Sequence, residues 1–185
     1  MNKKIFGKRH DMKILIIATP RTGSTELTFR ISRILSLKPI FEPFIDMNPF
    51  NYKHPSFMEH HSLPDDCVVK SLVGQIPYRK RMNMNNDDLI NICKEFYEMY
   101  SKNFDKVILL GRHDLVAQTE SWNWFTNKKN NEPYVYTKQP HYDENVKYIH
   151  DRNRILRQLA KHLDLPITYY EDIYNQDSTK GRKYE

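Results

Sequence analysis

A run of aliphatic residues that turns into a glycine-containing loop and then an amphipathic helix constrains this chain more than any other feature. Ile14 to Ala18 is continuously apolar, which predicts a buried parallel strand over Lys13 to Ala18. It breaks at Pro20 into a loop ending in Gly23-Ser24-Thr25. Beyond it Leu27, Ile31, Ile34 and Leu35 recur at helical spacing, which predicts a helix from Ser24 to Leu37 with those residues on its apolar face. Where a strand feeds a helix in this way, free backbone N–H groups and the positive end of the helix dipole converge and favour phosphate or sulfate. The loop predicts an anionic ligand.

The loop departs from the nucleoside-triphosphate pattern G-x-x-x-x-G-K-[ST], whose lysine follows the last glycine. Ser24 holds that lysine position, Ala18 stands where the first glycine would be, and the cation is Arg21, ahead of Gly23. A second apolar run, Lys106 to Leu110, ends at Gly111-Arg112-His113-Asp114 and leads into a helix carrying Gln118 and Ser121. On these residues the chain resembles the sulfotransferases that use 3′-phosphoadenosine 5′-phosphosulfate (PAPS). Their 5′-phosphosulfate loop is similar to Pro20-Arg21-Thr22-Gly23-Ser24-Thr25, and their 3′-phosphate motif is a strand-end arginine followed by a serine, as in Arg112 and Ser121. The spacing most resembles the bacterial trehalose-sulfotransferase branch, with His113 where that branch carries a second arginine. Arg112 and His113 both stand as candidates for the 3′-phosphate.

The same resemblance implies roles for two further residues. Glu42, in Pro39-Ile-Phe-Glu-Pro-Phe44, matches the glutamate that serves as base, and Lys70, in Cys67-Val-Val-Lys-Ser71, matches a strand-end lysine near the transferred group. It implies a P-loop-type α/β fold, a three-layer α/β/α sandwich around a central parallel sheet, with PAPS as co-substrate. The acceptor is a hydroxyl of a small molecule or carbohydrate, and the scheme requires no metal. Catalytic roles fall to Glu42, Arg21 and Lys70, and donor binding to Arg21, Thr22, Gly23, Ser24, Thr25, Arg112 and Ser121. The matching segments run from about residue 12 to about residue 175. Members of the branch continue well beyond the segment matched by Tyr170-Glu171-Asp172, so an ending at Glu185 suggests a compact form, a subunit of an oligomer or a form that binds without catalysis.

Alternation of strands and helices independently predicts a parallel sheet covered on both faces, with ligands at the strands' carboxyl ends. Further strands are expected at Cys67 to Val73 and Pro166 to Tyr170, and helices at Asp87 to Lys102, Asp114 to Phe125 and Tyr142 to Leu163. Pro39 to Pro64 reads as irregular, and the polar segment Asn127 to Pro140 as a lid or acceptor loop. A length of 185 residues suits one domain over residues 12–177, between a basic tail of residues 1–11 and a polar tail of residues 178–185.

A net charge of +6 suits a polyanionic ligand without selecting nucleic acid over a doubly phosphorylated nucleotide. Part of that excess is the solvated tail that carries Lys3, Lys4, Lys8 and Arg9. No segment reaches the ~20 apolar residues of a membrane span, and Cys67 and Cys93 make no disulfide framework, so a reduced, cytoplasmic protein without a membrane partner is expected. The other readings are a nucleotide-dependent phosphotransferase (kinase) and a non-catalytic nucleotide- or nucleic-acid-binding domain. Trp122 and Trp124 read as core residues sooner than as an adenine stack, and His54, His60, His61 and Cys67 match no zinc spacing. Lys180-Gly181-Arg182 is similar to, but ordered differently from, the family's Arg-Lys-Gly segment that closes over the 3′-phosphate.

Overall fold

The computed structural model describes residues 11–44, 63–76, 86–129 and 142–174. Five strands, β1 (Lys13–Ala18), β2 (Lys38–Phe41), β3 (Cys67–Leu72), β4 (Lys106–Gly111) and β5 (Ile167–Tyr169), form one sheet in the order β2-β3-β1-β4-β5. Every neighbouring pair is parallel. The helices are α1 (Ser24–Leu35), α2 (Asn86–Tyr100), α3 (Leu115–Lys129), α4 (Tyr142–Leu163) and α5 (Tyr170–Tyr174). The aliphatic run that predicted a buried strand is the central one, and Leu15 to Ala18 are fully buried between β3 and β4.

Alternate β1 residues feed two cores, which makes the fold a three-layer α/β/α sandwich. Leu15 and Ile17 join Val69, Leu109, Phe96 and Tyr97 of α2, and Ile155, Leu156 and Leu159 of α4. Ile14, Ile16 and Ala18 face the other way, toward Val68, Leu110, Leu27 and Ile31 of α1, and Ile173 of α5. Phe44, Phe96 and Tyr100 interlock in the larger core, with Phe96 stacked on Tyr100 and Phe44 edge-on to both. Every strand runs parallel, so the loops that follow β1, β3 and β4 emerge at one edge of the sheet.

Local departures from the sequence reading have physical causes. The stretch read as irregular from Pro39 contains β2, where Pro39 is tolerated because β2 is an edge strand. Helix α1 stops at Leu35 rather than Leu37, because Ser36 turns left-handed and its amide caps the Ser32 carbonyl. Ile34, expected on the apolar face, is 78% exposed, and Leu37 is in the core instead. Helix α3 runs past Phe125 to Lys129, so the polar segment begins inside a helix, with Asn127 buried. Trp124 is exposed rather than core, whereas Trp122 stacks on Tyr148 and donates to Asn145. Residues 130–140 of that segment, the tails' residues 1–10 and 175–185, and His54, His60, His61 and Lys180-Gly181-Arg182 lie outside the described residues. No described helix is long and apolar enough to cross a membrane.

Candidate functional site

The β1–α1 loop is held open at a helix end with few internal partners for its amides. Gly23 caps α1 with φ +69, makes no side-chain cap, and accepts the first helical bond from Leu27 N–H. The amides of Ser24, Thr25 and Glu26 are thereby left as the helix's orphan donors. Gly23 is required twice over: its φ disfavours any L side chain, and a Cβ there would lie 2.8 Å from the Tyr170 ring. Tyr174 completes the cover, its hydroxyl donating to the Gly23 carbonyl at 3.2 Å.

Three cations predicted from sequence meet this loop. Arg21 donates through Nε to Ser121 Oγ at 2.9 Å and lies over the Phe125 ring. No carboxylate pairs with it among the described residues, and burial followed by the nearby Arg112 charge pulls its pKa below the ordinary arginine value. Arg112 donates to the Arg21 carbonyl at 3.4 Å and stacks on Tyr170. Its Nε is buried without a hydrogen-bond partner, because the nearest carboxylate oxygen, Glu171 Oε1, stands 3.6 Å away. Ser121 therefore reaches Arg21 directly and Arg112 only through it. His113 is turned away, stacked on Tyr169 at 3.5 Å, so Arg112 is the residue of that pair that borders the loop.

Lys70 lies inside β3, not at its end, paired in register with Ile16 and Phe41. It is 6% exposed, and shares the sheet face of Val68 and α1. From there its ammonium donates to Thr25 Oγ1 at 3.2 Å and to Glu42 in a short ion pair. Glu42 is fixed from three directions, since its amide donates to the Lys70 carbonyl at 2.7 Å, Gln75 donates to its Oε2 at 3.1 Å, and Lys70 takes its Oε1. Arg21, Glu42 and Lys70 are thus brought to one loop cluster, with Thr25 between the helix end and the ammonium.

Backbone strain marks the same residues. Among the described residues four other than glycine have positive φ: Arg21, Ser36, Glu42 and Asp164. Ser36 and Asp164 follow helices α1 and α4, where left-handed caps are routine. Arg21 and Glu42 terminate no helix, and Glu42 also precedes a proline, which disfavours its φ of 46°. Each such conformation costs about 1–3 kcal/mol and persists where surrounding contacts impose it, most often at sites of function.

Residues that the sequence named without their contacts form the floor. Thr22 is buried and turns its hydroxyl to the Thr19 carbonyl at 2.8 Å, so it braces the loop by side chain and can serve a ligand only by its amide. Gln118 donates to Thr19 Oγ1 at 2.9 Å and to the Pro20 carbonyl at 2.5 Å, and accepts from Asn153 of α4 at 3.0 Å. Glu171 accepts the amides of His113 and Asp114 at 3.0 and 3.2 Å in the turn before α3, beside Arg112, while Asp114 itself caps α3 by accepting the Ala117 amide at 2.9 Å. Burial raises the Glu171 pKa, but the His113 and Asp114 amides and Arg112 outweigh burial and hold it below the ordinary carboxylate range. Among the described residues no cluster of three His, Cys, Asp or Glu side chains could hold a metal ion.

No protein-family model matches the chain, and no curated protein sequence matches it. Among solved structures it is similar to the YorR protein of Bacillus subtilis, solved in complex with phosphorylated GDP. The two share 8% identity at a TM-score of 0.48, covering 94% of this chain and 99% of that one.

Proposed function

We propose that the protein transfers a sulfuryl group from PAPS to an acceptor hydroxyl. The observation that carries the proposal is the Thr25–Lys70–Glu42 chain, which links a carboxylate and an ammonium directly to the first turn of an anion-binding helix. A group held at that turn would lie beside both a cation for its developing charge and a base for the incoming nucleophile. The resemblance of Pro20 to Thr25, and of Arg112 with Ser121, to the sulfotransferase motifs supplies the identity of the donor.

The donor's two anionic ends suit the residues present. The orphan amides of α1 with Arg21 would take the 5′-phosphosulfate, and Arg112, whose buried Nε lacks an acceptor, would take the 3′-phosphate. In the reaction the acceptor oxygen forms a bond to sulfur as the bridging bond to the 5′-phosphate breaks, and the acceptor proton passes to Glu42. Lys70 would move its hydrogen bond from Glu42 to a sulfuryl oxygen, leaving the carboxylate free for that proton.

Titration calorimetry with adenosine 3′,5′-bisphosphate tests the donor assignment. Binding should be detectable and should weaken at least about tenfold in Arg21→Ala and in Arg112→Ala. Absence of bisphosphate binding together with magnesium-dependent ATP binding would replace this reading by a phosphotransferase.

A further inference from the structure

A fourth cation lies against Gly74, one residue before the Gln75 that holds Glu42, and is used by none of the steps above. Arg152 of α4 lays its guanidinium on Gly74, so closely that a Cβ at Gly74 would fall 2.2 Å from Nη1. Gly74 has φ +80 and accommodates this approach only because it has no side chain. Tyr148 closes the other side, with its ring 4.7 Å from Cζ. Two of the three guanidinium nitrogens, Nε and Nη1, are buried with no hydrogen-bond partner, and no carboxylate pairs with Arg152 among the described residues. The side chain as a whole stays partly exposed, which leaves an open edge.

The residue after Gly74 carries a second orphan. Gln75 gives its amide nitrogen to Glu42 Oε2, and its Oε1 is buried without a partner. The guanidinium lies against Gly74, and the unsatisfied amide oxygen belongs to the next residue, whose amide nitrogen holds the carboxylate that takes the acceptor proton. Buried polar atoms without hydrogen-bond partners are rare in folded proteins unless a ligand or water supplies the partner. Because the guanidinium charge is delocalised, an anion at the open edge compensates the charge of the whole group.

We infer that Arg152 and Gln75 form the acceptor subsite, and that the acceptor carries an oxyanion, a carboxylate in the simplest case, besides the hydroxyl that is sulfated. This rests on the sulfotransferase reading of Glu42 and names its substrate class. Arg152 holds the anion, while the Gln75 carbonyl accepts a hydrogen bond from an acceptor hydroxyl.

The test uses matched probes, D-glucuronate against D-glucose and D-glycerate against glycerol, titrated into the whole protein with and without adenosine 3′,5′-bisphosphate. The carboxylates should bind at least about tenfold more tightly than their neutral partners, and Arg152→Gln should abolish that preference while leaving bisphosphate affinity unchanged. Bisphosphate binding with no carboxylate preference, or a preference that survives R152Q, overturns the subsite and leaves the donor reading intact. Carboxylate binding through Arg152 without bisphosphate binding keeps the anion subsite and removes the sulfotransferase reading. A second variant guards against misfolding. In Arg152→Met the stem packing is retained and the orphaned charge removed, so the ligand-free midpoint of thermal unfolding should hold or rise. A clear fall would assign Arg152 a structural role and overturn the subsite.

Discussion

At the scale of single residues, the proposed reaction assigns binding and chemistry to different side chains, and substitutions should separate them. Glu42→Gln keeps an oxygen for Lys70, and a flip of the Gln75 amide presents its Oε1 to the new NH2, so the fold should survive. Without a proton acceptor, turnover of a sulfated product from PAPS should fall by about 10²–10⁴, with bisphosphate affinity within a few-fold of wild type. An unchanged turnover number would remove Glu42 as base. Cys67 belongs to the opposite class: burial pushes its thiol above the ordinary cysteine value, and it lies fully buried in β3. Native protein should therefore leave Cys67 unmodified by iodoacetamide at pH 8, and mass spectrometry of the tryptic peptide reads the result. Arg21, Thr22 to Thr25, Arg112 and Glu42 could be singled out from the sequence because short motifs fix residue type and spacing. What each touches was not legible: Ser121 contacts Arg21 rather than Arg112, and Thr22 faces inward.

Among elements, the short helix α5 does the most with the fewest residues. Tyr170 and Tyr174 cover Gly23, and Glu171 accepts the two amides of the turn that leads into α3. Glu171→Gln should lower stability at pH 7 by about 1 kcal/mol, the usual net worth of a hydrogen bond. The pH dependence follows from a folded-state pKa below the ordinary value of 4.5. A depressed carboxylate contributes fully above its unfolded pKa, and loses that contribution as the pH falls through the folded one. The gap in unfolding midpoint between wild type and Glu171→Gln should therefore be widest near neutrality and shrink below 4.5. A gap that is constant down to pH 2.5 would exclude Glu171 as the cause. The periodicity of α2 and α4 made them readable, since Cys93, Phe96, Ile155 and Leu159 are buried where the pattern puts them. Strand β2 was not readable, because a short edge strand containing Pro39 carries no alternation, and its pairing with β3 alone defines it.

For the whole molecule, Arg21 and Arg112 lie close together at one helix end. Burial, and then the nearby Arg112 charge, pull Arg21 below the ordinary arginine value, and a bound anion would relieve that cost. Adenosine 3′,5′-bisphosphate at 100 times its dissociation constant should stabilise the protein by about 2.7 kcal/mol, a rise in unfolding midpoint of roughly 5–10 °C. The rise should shrink with added salt as the charges are screened, and differential scanning fluorimetry from low to high sodium chloride reads it. A midpoint indifferent to the bisphosphate would count against the donor site.

By itself the sequence determined the parallel α/β architecture and the strand–loop–helix turn with the residue types at it, because hydrophobic period and turn chemistry are local properties of the chain. Only the tertiary structure decided that Lys70 reaches Thr25 and Glu42 from inside β3, that Gln118 and Asn153 support the loop from below, and that Nε and Nη1 of Arg152 are left without a hydrogen-bond partner among the described residues. Those contacts join residues far apart along the chain, and their distances follow from strand order and helix packing, which no local pattern encodes.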